Sequence, residues 1–176
     1  MRNKAILNGN IHGVFAVDAD LKTSLVTPDV QKPNGVAVSP NGTRLYVAEF
    51  YIEGDDLLRM PEGTSLTFGP VRVLAYDLDG VAITGDPKII VHYGHGDGQD
   101  GMITDTDGNL YVAARAEPDF GIEVYSPAGQ LIDKILTPTK PTNVAFGRDG
   151  TANLLYITAG GGLYQVELRT KGWHPD

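Results

Sequence analysis

Three polar positions head a pattern that the chain repeats. Asn34 heads Lys32–Glu49 (KPNGVAVSPNGTRLYVAE), Asp100 heads Gln99–Ala113 (QDGMITDTDGNLYVA), and Thr142 with Asn143 heads Lys140–Ala159 (KPTNVAFGRDGTANLLYITA). Amide and carboxylate oxygens are hard donors that suit Ca, Mg or Mn ions, and carboxylates also bind Zn. A cation held there would polarise a carbonyl and acidify a bound water. Asp100, if one oxygen stays free, is also placed to act as a general base. The competing reading is local. Asn34-Gly35 and Asp100-Gly101 are also common turn pairs, since Asn and Asp tolerate left-handed backbone. Three equivalent heads on one scaffold favour converging side chains.

The elements that must position these heads are short strands. Each copy reads as a turn, a strand, a Gly-containing turn and a Leu-Tyr-(Val/Ile) strand. Strands are expected near Val36–Ser39, Leu45–Ala48, Val71–Asp77, Lys88–His92, Met102–Asp105, Leu110–Ala114, Ile122–Ser126, Gln130–Leu136, Val144–Gly147, Leu155–Thr158 and Leu163–Leu168. Val14–Asp18 and Leu21–Val26 form an earlier hairpin. Pro40-Asn41-Gly42, Leu78-Asp79-Gly80, Asp107-Gly108 and Pro127-Ala128-Gly129 supply turns. The stretch 50–69 breaks the repeat and reads as an inserted loop, with a short helix near Asp55–Arg59 cut by Pro61 and Gly63.

The repeating unit is therefore four antiparallel strands. Units begin near 33, 99 and 141, and the last two are spaced close to the ~40–45 residues of a propeller blade. About thirteen strands make little more than three blades, so the fold expected is all-β, a partial β-propeller spanning 1–176 as one domain. A sandwich is the structural alternative. In such a blade the links into the first strand and those between the second and third lie at one end. That end should carry Glu49, the 50–69 insert, Arg115–Phe120 and Gly160–Gly162 around a channel mouth. Glu49, Arg115, Thr142 and Asn143 are then candidate substrate contacts, and Glu53, Asp55, Asp56 and Arg59 candidate lid charges.

Composition narrows the classes. With 22 acidic and 14 basic residues the net charge is −8, which argues against a broad nucleic-acid surface. The absence of cysteine removes disulfides, thiolate metal sites and a Cys nucleophile. The N-terminus lacks a signal-length apolar segment, and no run approaches the roughly 20 residues of a membrane helix, so a cytoplasmic protein is expected.

Other patterns are weaker. His92, His95 and Asp97 cluster in sequence, but one histidine ends a strand and the other lies in a Gly-rich link. Asp105-Thr106-Asp107-Gly108 opens like a calcium-binding loop but lacks the closing Glu, and reads as a hairpin turn. Gly94–Gly96 and Gly160–Gly162 open no helix and carry no phosphate-binding Lys. No Gly-x-Ser-x-Gly elbow is present.

The repeated segments, with KPTNVAFG and LLYITAGGGLYQVEL closing the series, resemble the SMP-30/gluconolactonase/LRE-like lactonases, from about Gly9 to Leu168. The resemblance implies a propeller of the six-bladed type with a divalent metal (Ca, Mg, Mn or Zn) in its central channel. It implies Asn34 and Asp100 as metal ligands, Asp100 as the catalytic residue, and hydrolysis of a sugar-acid or related lactone. The acidic ligand that the family takes from its first blade has no counterpart in these residues. Only the later part of the family's fold is matched. A homodimer, or N-terminal blades absent here, is expected to complete the ring. The alternative is a catalytically incomplete propeller that binds a ligand or partner.

Overall fold

The computed structural model describes residues 13–53, 67–94 and 97–175. Among them are thirteen strands in four antiparallel sheets. β1 (Val14–Val17) pairs with β2 (Thr23–Thr27). A four-stranded sheet follows in the order β3 (Pro33–Val38), β4 (Arg44–Glu53), β5 (Thr67–Asp79), β6 (Ala82–His92). The next holds β7 (Gln99–Thr104), β8 (Leu110–Ala114), β9 (Gly121–Tyr125) and β10 (Leu131–Leu136). The last holds β11 (Pro141–Phe146), β12 (Leu154–Ala159) and β13 (Gly162–Glu167). No ring closes among these sheets, and no described helix is long and apolar enough to cross a membrane.

The Leu-Tyr-Val-Ala runs are continuous rather than alternating because their strands are covered on both faces. In β4, Leu45 and Val47 pack toward the β1–β2 sheet with Val30, Leu74 and Tyr76. Tyr46 and Ala48 face the other way, against Met102, Leu110, Val112 and Tyr125. β8 repeats the arrangement: Tyr111 and Ala113 pack on Val144, Phe146, Leu155 and Ile157 of the last sheet. Tyr111 meets the Phe146 ring edge-on, with centroids 5.1 Å apart. The core is thus three apolar seams between four stacked sheets, and the first strands β3, β7 and β11 run side by side.

The expected hairpins are present, and each turn has a local cause. Gly42 and Gly108 take φ of 70° and 84°, the left-handed region that only glycine enters without cost. Asp105, fully buried, accepts hydrogen bonds from the Asp107 and Asn109 amides, the Asn109 side chain and the Tyr111 hydroxyl. Its carboxylate therefore organises a turn, as expected.

Several boundaries differ from expectation. β4 runs to Glu53 and β5 starts at Thr67, so both ends of the 50–69 stretch are strand, not loop. Ile52 pairs with Phe68 beyond a bulge, and backbone pairing carries the hairpin outward where residue type alone gives no periodic signal. β6 begins at Ala82 rather than near Lys88. Irregular register past Thr84 absorbs Gly85 and Pro87, which break the sequence pattern without ending this edge strand. The expected helix near Asp55–Arg59, together with His95, lies outside the described residues.

Candidate functional site

Each first strand carries an irregularity at the same place. Pro33 pairs with Glu49 and Val36 with Val47, so Asn34 and Gly35 share one position opposite Ala48. Gln99 pairs with Ala114 and Met102 with Val112, so Asp100 and Gly101 do the same opposite Ala113. In β11, Thr142 is the extra residue between Pro141 and Asn143. A bulge bends the strand and re-aims its side chains, and here it falls on the polar head of every copy.

The heads also touch. A Cβ on Gly35 would overlap the Asp100 carbonyl, and one on Gly101 would overlap the Asn143 side chain. The two glycines let adjacent first strands approach at their heads. All three heads lie at one end of the sheets. Phe50 within β4, Arg115 just past β8 and Gly160 just past β12 donate backbone hydrogen bonds to Gln31, Gly98 and Lys140 in the links entering the first strands.

The oxygens differ in their freedom. Asn34 is exposed and its amide has no partner among the described residues. Asp100 is about a quarter exposed; Arg115 Nη1 stands 3.5 Å from its Oδ2, and its other oxygen is unpartnered among the described residues. Thr142 is exposed, but its hydroxyl lies 2.8 Å from the Thr158 hydroxyl. Asn143 Oδ1 accepts from the Val144 amide at 2.9 Å. Two heads therefore offer free oxygens, and the third is occupied by its own sheet. Among the described residues no three His, Cys, Asp or Glu side chains gather around a common point.

Arg115 stands at the head end of the sheets, held in an ion-pair network. Its Nε donates to Asp97 Oδ1 at 3.0 Å and its Nη1 to the Pro141 carbonyl at 3.4 Å. Lys140 Nζ joins Asp97 at 3.0 Å and Glu117 at 3.1 Å. Partial burial opposes the Asp97 charge, but hydrogen bonds from Arg115 and Lys140 outweigh it and hold the carboxyl below its usual range. The same bonds from Asp97 and Glu117 raise Lys140.

Glu49 corrects an expectation. It lies inside β4 rather than at its end, is 3% exposed, and faces the seam below β1–β2 rather than the mouth. Its carboxylate accepts from the Gln31 amide and from Arg72 Nε. Strand alternation sends it to the side of Leu45 and Val47, where Arg72 opposes it in β5. His92 is exposed, and its Nδ1 accepts from the Gly94 amide.

Two residues near the mouth were not singled out as site residues from sequence. Asp97 is the hub of the ion network. Gln99, next to Asp100, is 4% exposed and donates through Nε2 to the carbonyls of Glu49 and Arg72, tying β7 to the preceding sheet. Its place directly before a repeat head was the available signal. Two cavities among the described residues lie elsewhere. One of about 550 Å³ sits between turns at the opposite end, lined by Ser39, Asn41, Thr106, Asp107 and Pro127. Another of about 410 Å³ lies beside Asp133, Glu167 and Arg169.

Antiparallel sheets stacked face to face, with their first strands adjacent and bulged heads at one end, define a propeller-type all-β protein. The chain belongs to the SMP-30/gluconolactonase/LRE-like family, whose region matches residues 1–161. It is 27% identical over 172 residues to a gluconolactonase of Zymomonas mobilis, covering 93% of this chain and 42% of that protein. Among solved structures, a gluconolactonase of Xanthomonas campestris matches at 26% identity and TM-score 0.66, covering 89% of this chain and 44% of the other. Regucalcin of Agrobacterium tumefaciens, described as a calcium-binding protein, shares the fold at 22% identity and TM-score 0.65, over 91% and 52%. The chain thus spans less than half the length of both gluconolactonases.

Proposed function

We propose that the chain carries part of a metal-dependent lactonase centre acting on a sugar-acid or related lactone, on a propeller of the six-bladed type. The carrying observation is that Asn34 and Asp100 occupy equivalent bulges on touching strands, each with an oxygen unpartnered among the described residues. That donor set fits a divalent cation such as Ca, Mg, Mn or Zn. A bound ion would supply Lewis-acid polarisation of the lactone carbonyl and a more acidic water.

The chain's own residues do the rest. Asn34 binds through its amide oxygen and Asp100 through its carboxylate. The contact from Arg115 to Asp100 is longer than a hydrogen bond, so Asp100 keeps acceptor capacity for a proton from the attacking water. The water oxygen bonds to the carbonyl carbon, the ring C–O bond breaks, and the proton ends on the departing ring oxygen, giving a hydroxy acid. Arg115, Thr142 and Asn143 stand at the mouth where a polar substrate would lie.

The test is proton release from gluconolactone by purified protein with each divalent ion, beside Asp100→Ala. Metal-dependent turnover in the wild type, lost in the variant, supports the reading. Turnover that is absent with every ion, or equal in the variant, overturns it for this chain.

A second reading is carried by the open flank. β1 and β2 put Phe15 opposite Leu25 on a face where both are more than 40% exposed, with Val17 beside them. A sheet face of this kind is covered by another blade, and the proposal is that further N-terminal blades or a second copy of the chain supplies it. Light scattering of the purified chain tests the second copy: a dimer supports it and a monomer at micromolar concentration removes it.

A further inference from the structure

We infer that Arg115 is the resident counter-ion of Asp100 and, pinned there by Asp97, sets the cation affinity of the mouth. This rests on the proposal that Asn34 and Asp100 hold a cation. Asp97 takes the guanidinium on one side, through Nε at 3.0 Å and Nη2 at 3.4 Å. The Pro141 carbonyl takes Nη1 at 3.4 Å. The group is therefore fixed on both sides, by a residue entering one sheet and a residue opening the next. Its approach to Asp100 Oδ2 at 3.5 Å is a charge contact rather than a hydrogen bond.

A fixed positive charge at that distance has two effects. Without a metal it compensates Asp100 in a cluster where Arg115 and Lys140 face Asp97, Asp100 and Glu117. With a metal it is a like charge beside the incoming ion, and its bonds to Asp97 and Pro141 keep it from swinging away. The ion must then share Asp100 with the guanidinium. Only about a quarter of either side chain is exposed, so solvent screens the repulsion incompletely. Lys140 carries the same charge in the same cluster but contacts Asp97 and Glu117, not Asp100.

The experiment is calorimetric titration of the full chain with Mn²⁺ alone, comparing wild type, Arg115→Gln and Lys140→Gln, with the fold checked by circular dichroism. Arg115→Gln should bind Mn²⁺ about tenfold tighter, and Lys140→Gln should change affinity by less than about twofold. Equal or weaker binding by Arg115→Gln overturns the counter-ion role and leaves the metal reading standing. Equal tightening in both variants also overturns it, because the effect is then a general field. If neither wild type nor Arg115→Gln takes up Mn²⁺, the cation site falls and the counter-ion role with it. Should Arg115→Gln fail to fold, Asp97→Asn replaces it: freeing the guanidinium to close on Asp100 should weaken binding, and unchanged or tighter binding overturns the role.

Discussion

Gly35 lies so close to Asp100 that a Cβ on the glycine would overlap the Asp100 carbonyl oxygen. The head of one sheet thus rests directly on the head of the next, and the separation of Asn34 from Asp100 is set by backbone packing rather than by side-chain reach. Gly35→Ala should cost about 1–3 kcal/mol, since a buried methyl must push two strands apart. Gly161→Ala meets open space and should stay within about 0.5 kcal/mol. Urea unfolding of both variants checks the contrast, and equal midpoints would remove the close approach.

The Glu123 carboxylate, 8% exposed, ties neighbouring sheets together. It accepts from Tyr93 at 2.7 Å, Tyr125 at 2.6 Å and Lys134 at 3.0 Å. Burial alone would raise this carboxyl, but the hydrogen bonds outweigh it and hold it below its usual range. A depressed folded pKa contributes stability above the unfolded value of roughly 4.3. That contribution is lost as pH falls through the lower folded value. Glu123→Gln should cost about 1–3 kcal/mol at neutral pH and flatten the loss of stability below pH ~4. Melting curves across acidic pH decide it; parallel curves for the two proteins would refute the assignment.

The C-terminal tail straps two sheets at the end opposite the heads. Trp173 donates its amide to Thr104, Thr106 donates to Lys171, and Gly172 donates to Ala152. His174 lies 3.0 Å from the Gly147 carbonyl, and Gly172 sits against the Phe146 ring where no side chain fits. Removing residues 169–176 should lower the unfolding free energy by about 2–4 kcal/mol, from several backbone hydrogen bonds and the exposed ring. An unchanged denaturation midpoint would show that the strap contributes nothing.

Tyr76 is 2% exposed with a hydroxyl that has no hydrogen-bond partner among the described residues. Burial, with Glu49 and Asp29 nearby, pushes it up to about 12, so it stays neutral and unsatisfied. Tyr76→Phe should be neutral or stabilising by up to about 1 kcal/mol, because it removes an unpaired polar atom and keeps the ring. A loss of more than about 1 kcal/mol in thermal unfolding would mean that the hydroxyl is satisfied.

Strand existence was legible because Leu-Tyr-Val-Ala runs between glycine turns have few other solutions. The heads were legible for a related reason: Asn34, Asp100 and Thr142 each stand two residues before an apolar run that begins at Val36, Met102 and Val144. Offsets do not report which face a side chain takes at a strand end. Glu49 was expected at the mouth, and alternation with Arg72 opposite buried it below β1–β2. Nor do they report occupancy. Thr142 and Asp100 hold equivalent places, yet the Thr142 hydroxyl is taken by Thr158 while Asp100 keeps an unpartnered oxygen among the described residues.

By itself the sequence determined the order of strands and turns, the repeat and its polar heads, because these follow from local periodicity and turn chemistry. Tertiary structure decided what the heads are worth. The shared bulges, the contact of Gly35 with Asp100 and the pinning of Arg115 by Asp97 join residues on different sheets or on the links between them. Such contacts depend on how sheets stack, and no local pattern encodes that distance.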